Sequence, residues 1–412
     1  MTDRIAITGL GVVSPLGSTH PSTWRSLLEG RSGLRALDPA WSADLPSRVG
    51  GVSSFEIHAL LEPHRARRLD RSAQMGLVAA QEAWTHAGRP SLAPERLGVV
   101  FGTGMGGLAT LQEQLTVLRE QGPARVNPLT VPMIMPNAVA AQIALFLGAR
   151  GPLEAPVSAC ATGADAILWG ARLLQQDLAD VVVVGGCDAL LNRAGMAAFG
   201  AMRALAGGDG PPEEASRPFD RDRCGFVMGE GAAALVLERP ERARARNAPV
   251  HGWLRGGAVT ADAHHITTPQ PEGRQAERAM GQALEQAGVS PDDLQLVKAH
   301  GTGTVQGDHA EALALGRLFD GSAGARRPWL LAPKAAVGHL IGGAGALEAV
   351  LTVLCLREGL VPAQRNCPHP DPALPLPMPQ AVSRLEGPAR LALANAFGFG
   401  GKNVVLVFEG PG

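Results

Sequence analysis

The chain has 412 residues, of which 45% are hydrophobic and 18% are charged, a composition typical of a packed globular protein. Its 37 basic and 38 acidic residues give a net charge of −1, which argues against nucleic-acid or membrane binding by bulk electrostatics. The longest apolar helix pattern, residues 341–356, contains Glu348 and is shorter than the roughly 20 residues needed to cross a bilayer. We therefore expect neither a nucleic acid nor a membrane as a partner.

The cysteines are spread irregularly along the chain, at Cys160, Cys187, Cys224, Cys355 and Cys367. Their odd number argues against a disulfide framework, and no Cys/His spacing is typical of a zinc site. No signal-peptide pattern precedes the first strand-like run. We therefore expect a cytoplasmic protein without a bound metal.

Short apolar runs rich in β-branched residues recur along the chain, and several end in glycine. They lie at residues 5–9, 98–102, 181–186, 234–237, 296–300 and 404–407. Continuous runs of this length are typical of strands buried on both faces. Amphipathic helix patterns at Ser72–Gly88 and Gly273–Gly288 lie between them, so we predict an α/β architecture of layered sheets and helices.

The order of these elements indicates an internal duplication. In the first half, an apolar run turns at Cys160 into a helix pattern over Asp165–Gln176, and in the second a similar run turns at His339 into a buried helix pattern. We therefore predict two pseudo-symmetric halves, residues 1–245 and 246–412, whose turns meet at one shared centre.

Cys160 lies at the start of a helix pattern among small residues. Unpaired N–H groups and the positive end of the helix dipole stabilise a thiolate there. We therefore predict a thiol pKa below its free value of about 8.5 and a nucleophilic role. The alternative is a buried structural cysteine, the usual fate of a free thiol.

Gly102–Gly107 matches the GxGxxG fingerprint of dinucleotide-binding proteins and follows a strand pattern. The fingerprint normally belongs to an opening βαβ unit, whereas this segment lies well inside the chain. We interpret it instead as a loop that lines a pocket.

Two histidines occupy strand-to-glycine turns: His300 precedes Gly301, and His339 follows Lys334 and Gly338. A lone histidine in an apolar run is usually a satisfied core residue, but two such turns beside a candidate thiolate indicate shared chemistry. Together they fit acyl transfer to sulfur, followed by carbanion chemistry with two imidazole donors.

Five motifs that span nearly the whole chain together resemble the β-ketoacyl-acyl carrier protein synthases. They are Ser158–Gly163, Arg217–Gly231, His300–Thr304, Lys334–His339 and Asn395–Gly401. The resemblance is closest to synthase II of bacterial fatty acid synthesis, with the ketosynthases of type II polyketide systems close behind. It implies the thiolase fold, with duplicated α/β halves in a five-layered α-β-α-β-α sandwich, and normally a homodimer. It also implies an acyltransferase without a cofactor of its own, since phosphopantetheine arrives on the acyl carrier protein.

The same resemblance implies a role for each motif. Cys160 would hold the acyl chain as a thioester, while His300 and His339 would stabilise the enolate formed when malonyl-acyl carrier protein loses CO2. Lys334 would orient this network. The backbone N–H groups of Cys160 and Phe399 would form an oxyanion hole, with the Phe399 ring as a gate.

Further positions match substrate contacts of the family. Thr302 and Thr304 match hydroxyls that bind the phosphopantetheine arm. Other substrate-binding positions are Met105, at the expected pocket floor, Gly195, Phe199 and Phe397. The arginines expected to contact the acidic carrier protein are Arg203, Arg65, Arg67 and Arg68.

Several positions depart from the family pattern: Cys224, Lys298, Ala394 and Lys402. In relatives, a buried monovalent cation lies beside residues that match Glu311 and Glu348. We hypothesise that the Lys298 ammonium replaces this ion, because paired buried carboxylates need a positive partner. The consequence of Lys402, where relatives usually have Thr, Gln or Asn, does not follow from the sequence.

Other functions remain open. The chain is alternatively a ketosynthase subunit of a specialised type II polyketide or polyene pathway, working as a heterodimer with a chain-length partner. A non-catalytic chain-length partner is disfavoured because Cys160, His300 and His339 are all present. A biosynthetic thiolase would use coenzyme A and a second catalytic cysteine, and the paired histidines argue against it.

Overall fold

The computed structural model describes residues 4–54, 61–207, 210–320, 327–387 and 390–412. Within these ranges the strands, labelled β1 to β14 in chain order, are Ile5–Val13, Leu34–Ala36, Val49–Gly51, Leu97–Thr103, Leu153–Glu154, Val181–Asp188, Gly231–Glu238, Gly252–Ala261, Leu296–Lys298, Trp329–Leu331, Leu360–Val361, Ser383–Arg384, Leu391–Gly398 and Lys402–Glu409. The helices, labelled α1 to α14, are His20–Leu28, Pro39–Ser42, Pro63–Ala66, Arg71–His86, Leu108–Gln121, Thr130–Ile134, Ala138–Leu147, Thr162–Gln175, Arg193–Ala201, Pro240–Ala245, Arg274–Ala287, Val305–Leu318, Lys334–Val337 and Ala344–Glu358.

Ten strands form the principal sheet, in the order β10-β9-β13-β14-β8-β1-β7-β6-β4-β5. From the centre outward, β1-β7-β6-β4-β5 and β8-β14-β13-β9-β10 have the same pattern, two antiparallel pairings followed by two parallel ones. The two sets join where Ile5–Ile7 of β1 pairs with Gly252–Leu254 of β8. This strand order confirms the predicted internal duplication, while the division at residue 245 stays a prediction.

Helices α8 and α14 form the central layer between the two sets of strands. They approach closely, because a side chain at Gly163 of α8 would lie 2.5 Å from the backbone nitrogen of Ala346. The central apolar core contains residues of both helices and of strands from both halves. Separate cores lie beneath α4 in the first half and beneath α11 and α12 in the second. The arrangement is the predicted α-β-α-β-α sandwich of a thiolase-like fold.

The two amphipathic helices predicted from the sequence are α4 and α11, with bounds shifted by one or two residues. The side chain of Asp70 caps α4 by accepting a hydrogen bond from the backbone N–H of Ser72. Gly288 ends α11 in the left-handed conformation, where glycine avoids the steric penalty of a side chain. In the parts of the chain that the structure covers, no helix has the length and apolarity required of a membrane span.

The turns that lead into α8 and α14 share one backbone device. Each is a short 3₁₀ segment, Ala159–Ala161 before α8 and Ile341–Gly343 before α14. Ala159 and Ile341 both have φ of 48°, in the left-handed region that side-chain-bearing residues rarely adopt. The strain places the next residue of each turn at the start of a buried helix.

Candidate active site

A cavity of about 460 Å³ is lined by residues from both halves of the chain. The predicted catalytic and substrate-binding residues among them are Cys160, Phe199, His300, Thr302, Thr304, His339, Phe397 and Phe399. Among the described lining residues, Met105 and Gly195 do not occur. Met105 is 50% exposed, and Gly195 is buried in α9 against the backbone of Leu190. Their role in an acyl pocket stays a prediction.

Cys160 is 6% exposed and packs in an apolar cluster with Phe199, Ile341 and Phe399. Burial raises the pKa of its thiol to about 12, although the charge of Lys334 and backbone hydrogen bonds from Phe399 and Cys160 itself act in the opposite direction. The prediction of a lowered pKa is therefore wrong for this resting site. Removal from water outweighs the N–H groups at the helix start.

His300 and His339 lie nearly perpendicular to each other, with ring centroids 5.6 Å apart. Burial, together with the nearby positive charge of Lys334, holds the pKa of both rings well below its usual range. Both imidazoles are therefore neutral at pH 7. His300 Nδ1 and both ring nitrogens of His339 are buried without a hydrogen-bond partner, so these nitrogens are free to bind a polar ligand.

Lys334 lies behind the cavity and is 1% exposed. Its Nζ donates a hydrogen bond of 2.6 Å to the carbonyl of His300 and forms an ion pair with Glu348. The Ser216 hydroxyl donates to the Lys334 carbonyl at 2.9 Å. Lys334 thus holds the backbone that carries His300, while its orienting role in catalysis stays a prediction.

Lys298 extends the same buried network. Its Nζ lies 2.5 Å from Glu348 Oε2 and 2.5 Å from the carbonyl oxygen of Asn395. Glu348 therefore accepts from two ammonium groups, one on each carboxylate oxygen. Glu311 instead accepts from the backbone N–H groups of His300 and Gly301 and from the side-chain amide of Asn395.

These contacts do not fit a monovalent cation between the two carboxylates. The oxygens of Glu311 and Glu348 that would bind such an ion already accept hydrogen bonds from protein groups, and the Lys298 ammonium brings its own positive charge. Within the described ranges, no three His, Cys, Asp or Glu side chains are grouped as metal ligands would be.

Thr302 and Thr304 lie on one wall of the cavity, with their hydroxyl oxygens 3.0 Å apart. The loop that carries them is held by Asp308, which accepts from the backbone N–H groups of Thr302 and Gly303. Burial raises the pKa of Asp308 to about 7. Asp308 therefore anchors this loop from its buried side while the two hydroxyls remain at the cavity.

Phe399 lies in the turn between β13 and β14. The turn contains Gly400 and Gly401, with φ of 83° and 76°, values that favour glycine. The ring of Phe399 is 6.5 Å from that of Phe199, centroid to centroid. The backbone of Gly400 donates to the carbonyl of Ile266 at 2.7 Å, so this turn packs against a second loop of the cavity wall.

The predicted carrier-protein arginines lie in two places. Arg203 is exposed and lines the cavity, as does the exposed Cys224. Arg67 and Arg68 are exposed, whereas Arg65 is half-buried with its guanidinium 5.2 Å from the ring centroid of Phe146.

Sequence reasoning missed Asp188, the last residue of β6. Its buried carboxylate accepts from Thr103 Oγ1 at 2.5 Å, from the Gly104 N–H at 2.8 Å and from the Gly342 N–H at 2.7 Å. Burial raises its pKa to about 6. It joins the GxGxxG loop to the turn before α14. The available signal was a carboxylate directly after a long apolar strand run.

Comparison with known proteins identifies the family of this chain. The model of the β-ketoacyl synthase N-terminal domain matches residues 2–243, and that of the C-terminal domain matches residues 251–368. The chain therefore belongs to the β-ketoacyl synthase family.

Curated relatives with near full-length matches carry the name 3-oxoacyl-[acyl-carrier-protein] synthase 2. The protein of Synechocystis sp. is 39% identical over 409 residues, which cover 98% of both chains. That of Mycobacterium tuberculosis is 38% identical over 407 residues, covering 98% of this chain and 96% of the relative.

Solved structures with the same fold include two kinds of ketosynthase. A β-ketoacyl synthase from Burkholderia phymatum has a TM-score of 0.91 at 30% identity, covering 99% of both chains. A type II polyketide acyl-carrier protein in complex with its ketosynthase, bound to the hexaketide, has a TM-score of 0.90 at 27% identity over 100% of both chains. The ishigamide ketosynthase/chain length factor has a TM-score of 0.89 at 29% identity, again over 100% of both chains.

Proposed function

We propose that this protein is a condensing enzyme of type II fatty acid biosynthesis. It transfers an acyl chain from acyl carrier protein to Cys160 and joins it to the carbanion left when malonyl-acyl carrier protein loses CO2. The product is a 3-oxoacyl-acyl carrier protein. The observation that carries the proposal is one cavity that holds a thiol together with two neutral imidazoles, Cys160 with His300 and His339.

Acyl transfer begins at Cys160. A thioester bond forms between its sulfur and the acyl carbon, and the phosphopantetheine thiol of the carrier leaves. The tetrahedral oxyanion between these states needs hydrogen-bond donors, and the backbone N–H groups of Cys160 and Phe399 both act on the sulfur in the resting site. A donor of this kind contributes about 10²–10³ in rate.

Decarboxylation of the malonyl group follows. As the C–C bond to the carboxylate breaks, its electron pair forms an enolate at the thioester carbonyl. Neutral His300 and His339 each donate one ring N–H to that oxygen, which an uncharged imidazole does without losing its proton. The enolate carbon then attacks the Cys160 thioester, and the sulfur is released. This role uses one ring nitrogen of each imidazole, and both ring nitrogens of His339 lack a protein partner.

Lys298 takes the place of a structural cation in this proposal. Its Nζ donates to a carboxylate and to a carbonyl, both acceptors, so it holds Glu348 against Lys334 without an added ion. Lys334 in turn holds the backbone of His300. In this proposal the site beside Glu348 therefore needs no added structural cation.

Carrier-protein binding and assembly complete the proposal. Thr302 and Thr304 bind the phosphopantetheine arm, and Arg203, at the cavity wall, contacts the acidic carrier protein, with Arg67 and Arg68 as a second exposed group. Homodimerisation is supported by a set of exposed apolar side chains between residues 105 and 157, which includes Leu153 of the edge strand β5. They are Met105, Leu115, Val131, Met135, Leu145, Leu153 and Val157.

A ketosynthase of a type II polyketide or polyene pathway is the second candidate. Full-length structural similarity to such ketosynthases, one of them paired with a chain length factor, favours it. In that case the exposed apolar surface would bind a chain-length partner instead of a second copy of this chain.

The test is to incubate the purified protein with malonyl-carrier and with acyl-carriers from acetyl to palmitoyl, and to read products and the mass of Cys160 peptides by mass spectrometry. Fatty acid elongation predicts acylated Cys160 and one round of extension per added acyl-carrier. Repeated extension by malonyl units without reduction would favour the polyketide pathway. Absence of Cys160 acylation with every acyl-carrier would contradict both.

A further inference from the structure

Lys402, whose consequence the sequence left open, is the first residue of β14, directly after the turn that carries Phe399. Its Nζ forms an ion pair with Asp165 Oδ2 and lies 3.0 Å from Ser158 Oγ. The Ser158 hydroxyl donates to the same carboxylate oxygen at 2.6 Å. Lys402, Asp165 and Ser158, called the Lys402 clasp below, thus connect the Phe399 turn to the turn that carries Cys160.

The Lys402 clasp differs from a surface ion pair because its carboxylate is deeply buried. The Asp165 side chain is 2% exposed in the first turn of α8, whereas that of Lys402 is 33% exposed. A buried carboxylate that loses its cation remains as an unpaired charge away from water, which is unfavourable. The described neighbours that bind the Asp165 carboxylate are Ser158, a neutral donor, and Lys402, the cation.

The opposite end of the Phe399 turn contacts the same segment. Gly398, the last residue of β13, pairs with Lys402 across the hairpin. A side chain at Gly398 would lie 2.6 Å from the carbonyl oxygen of Ser158, so the backbone of β13 packs directly on the nucleophile turn. Both ends of the Phe399 turn are therefore fixed to the segment before Cys160, while Phe399 and the two glycines lie between the fixed points.

We propose that the Lys402 clasp is a positioning device for acyl transfer: it keeps the backbone N–H groups of Phe399 and Cys160 at one spacing while the Phe399 ring moves. This inference rests on the proposed function, since it concerns the oxyanion hole of the acylation step. It does not extend to decarboxylation, because His300 and His339 are held by Lys334 and other contacts that do not include Lys402.

The test compares the two half-reactions in Lys402→Met. Acylation of Cys160 from acyl-carrier, followed by rapid quench and intact-protein mass spectrometry, slows by about tenfold to a hundredfold, since a displacement of ~1 Å at a reacting centre has an effect of this size. In a Cys160→Ala background, the decarboxylation rate of malonyl-carrier is the same with Lys402 and with Met. Equal slowing of both half-reactions, or an unchanged acylation rate, would overturn the proposal.

Matched variants separate positioning from loss of folding. Lys402→Arg keeps the cation and restores acylation to near the wild-type rate, and the double variant Lys402→Met/Asp165→Asn is no slower than Lys402→Met alone, because both changes break one interaction. Glu409→Gln removes an ion pair with Arg255 at the far end of β14 and leaves acylation unchanged.

Two results would count against the clasp in these variants: additive losses in the double variant, or slow acylation in Lys402→Arg. Failure of the proposed function gives a different result, because the wild-type protein itself would then show no acylation of Cys160.

Discussion

The turns before α8 and α14 are two copies of one backbone device with different uses. Both begin with a residue at φ of 48° and run through a 3₁₀ segment into a buried helix. The second residue of the first turn is Cys160, which lines the cavity, and that of the other is Gly342. A side chain at Gly342 would lie 2.5 Å from the backbone of Gly104 and 2.7 Å from Asp188.

The difference shows that the two copies of a duplicated turn have separate roles, one structural and one at the cavity. In the second half the turn is closed, because Asp188 binds the N–H of Gly342 and leaves no room for a side chain. In the first half the same geometry presents a sulfur to the cavity. Ile341 of the closed turn packs beside Cys160, so the second copy forms part of the wall around the first.

Substitutions at the two equivalent positions give the largest expected contrast. Cys160→Ala abolishes condensation, because no thioester forms, but it retains the fold and part of the malonyl-carrier decarboxylation. Gly342→Ala loses about 3 kcal/mol of stability through overpacking against backbone. Product analysis and urea unfolding measure the two effects. Loss of decarboxylation in folded Cys160→Ala would contradict the roles given to His300 and His339.

The buried charged groups give a second contrast. Asp188 accepts a hydrogen bond from the Gly342 turn, whereas Lys298 pairs with Glu348 in the network behind the two histidines. Replacing Lys298 with Met leaves Glu348 with one ammonium partner, and we expect kcat to fall on the order of tenfold to a hundredfold. Lys298→Asn removes the cation but supplies an oxygen ligand, so its activity becomes dependent on K⁺ or Na⁺. Steady-state assays in potassium and in choline buffers measure this dependence.

The wild-type protein is the control for that experiment, and its activity is the same in both buffers. A wild-type requirement for K⁺, or cation density between Glu311 and Glu348 in a crystal, would contradict the role given to Lys298.

The pH dependence of Cys160 reactivity tests whether burial or the helix start controls the pKa of its thiol. Because burial raises its pKa to about 12, the thiolate fraction rises about tenfold for each pH unit through the neutral range. Alkylation of Cys160 by iodoacetamide, followed by peptide mass spectrometry, accelerates accordingly between about pH 7 and 9. A plateau below about pH 8 would mean that the helix start controls the thiol after all.

The seam between the halves gives the smallest effect. Three histidine rings stack beside the β1–β8 pairing. The ring centroid of His86 is 4.3 Å from that of His20 and 4.0 Å from that of His251. Burial lowers the pKa of His86 to about 4 and that of His251 to about 3, while Glu82 binds His20 and Arg357 lies beside His251.

The sign of the pH effect follows from these lowered values. Unfolding restores a histidine pKa of about 6.5, so the unfolded chain binds protons more readily and stability falls as the pH drops below that value. The melting temperature of the wild type therefore decreases more steeply between about pH 6.5 and 5 than that of His86→Phe. Equal slopes by differential scanning fluorimetry would contradict this prediction.

Much of the fold could be predicted because its central strands are short continuous apolar runs. β8 and β13 were not predicted as strands: β8 contains Arg255, Gly256 and Gly257 and is half-buried over much of its length, and β13 begins with alternating leucine and alanine. Neither pattern distinguishes a strand from a loop or helix without its neighbours.

The site could be predicted as a set of residues but not as an environment. The prediction of a lowered pKa for Cys160 was wrong because the groups that bury the thiol, such as Phe199 and Phe399, come from distant parts of the chain. Lys402 had no interpretation for the same reason, since its partner Asp165 lies 237 positions earlier. Motifs identify reactive side chains, whereas burial and pairing depend on the assembled fold.

The exposed Cys224 on the cavity wall has a consequence for inhibitor chemistry. Cys224 is exposed and Cys160 is buried, although both line the cavity, so an electrophile in solvent reaches the Cys224 thiol more readily. Covalent inactivation therefore does not by itself identify the nucleophile, because an adduct on Cys224 would occupy the same cavity. A warhead aimed at Cys224 would instead occupy the cavity without relying on the reactivity of the catalytic sulfur.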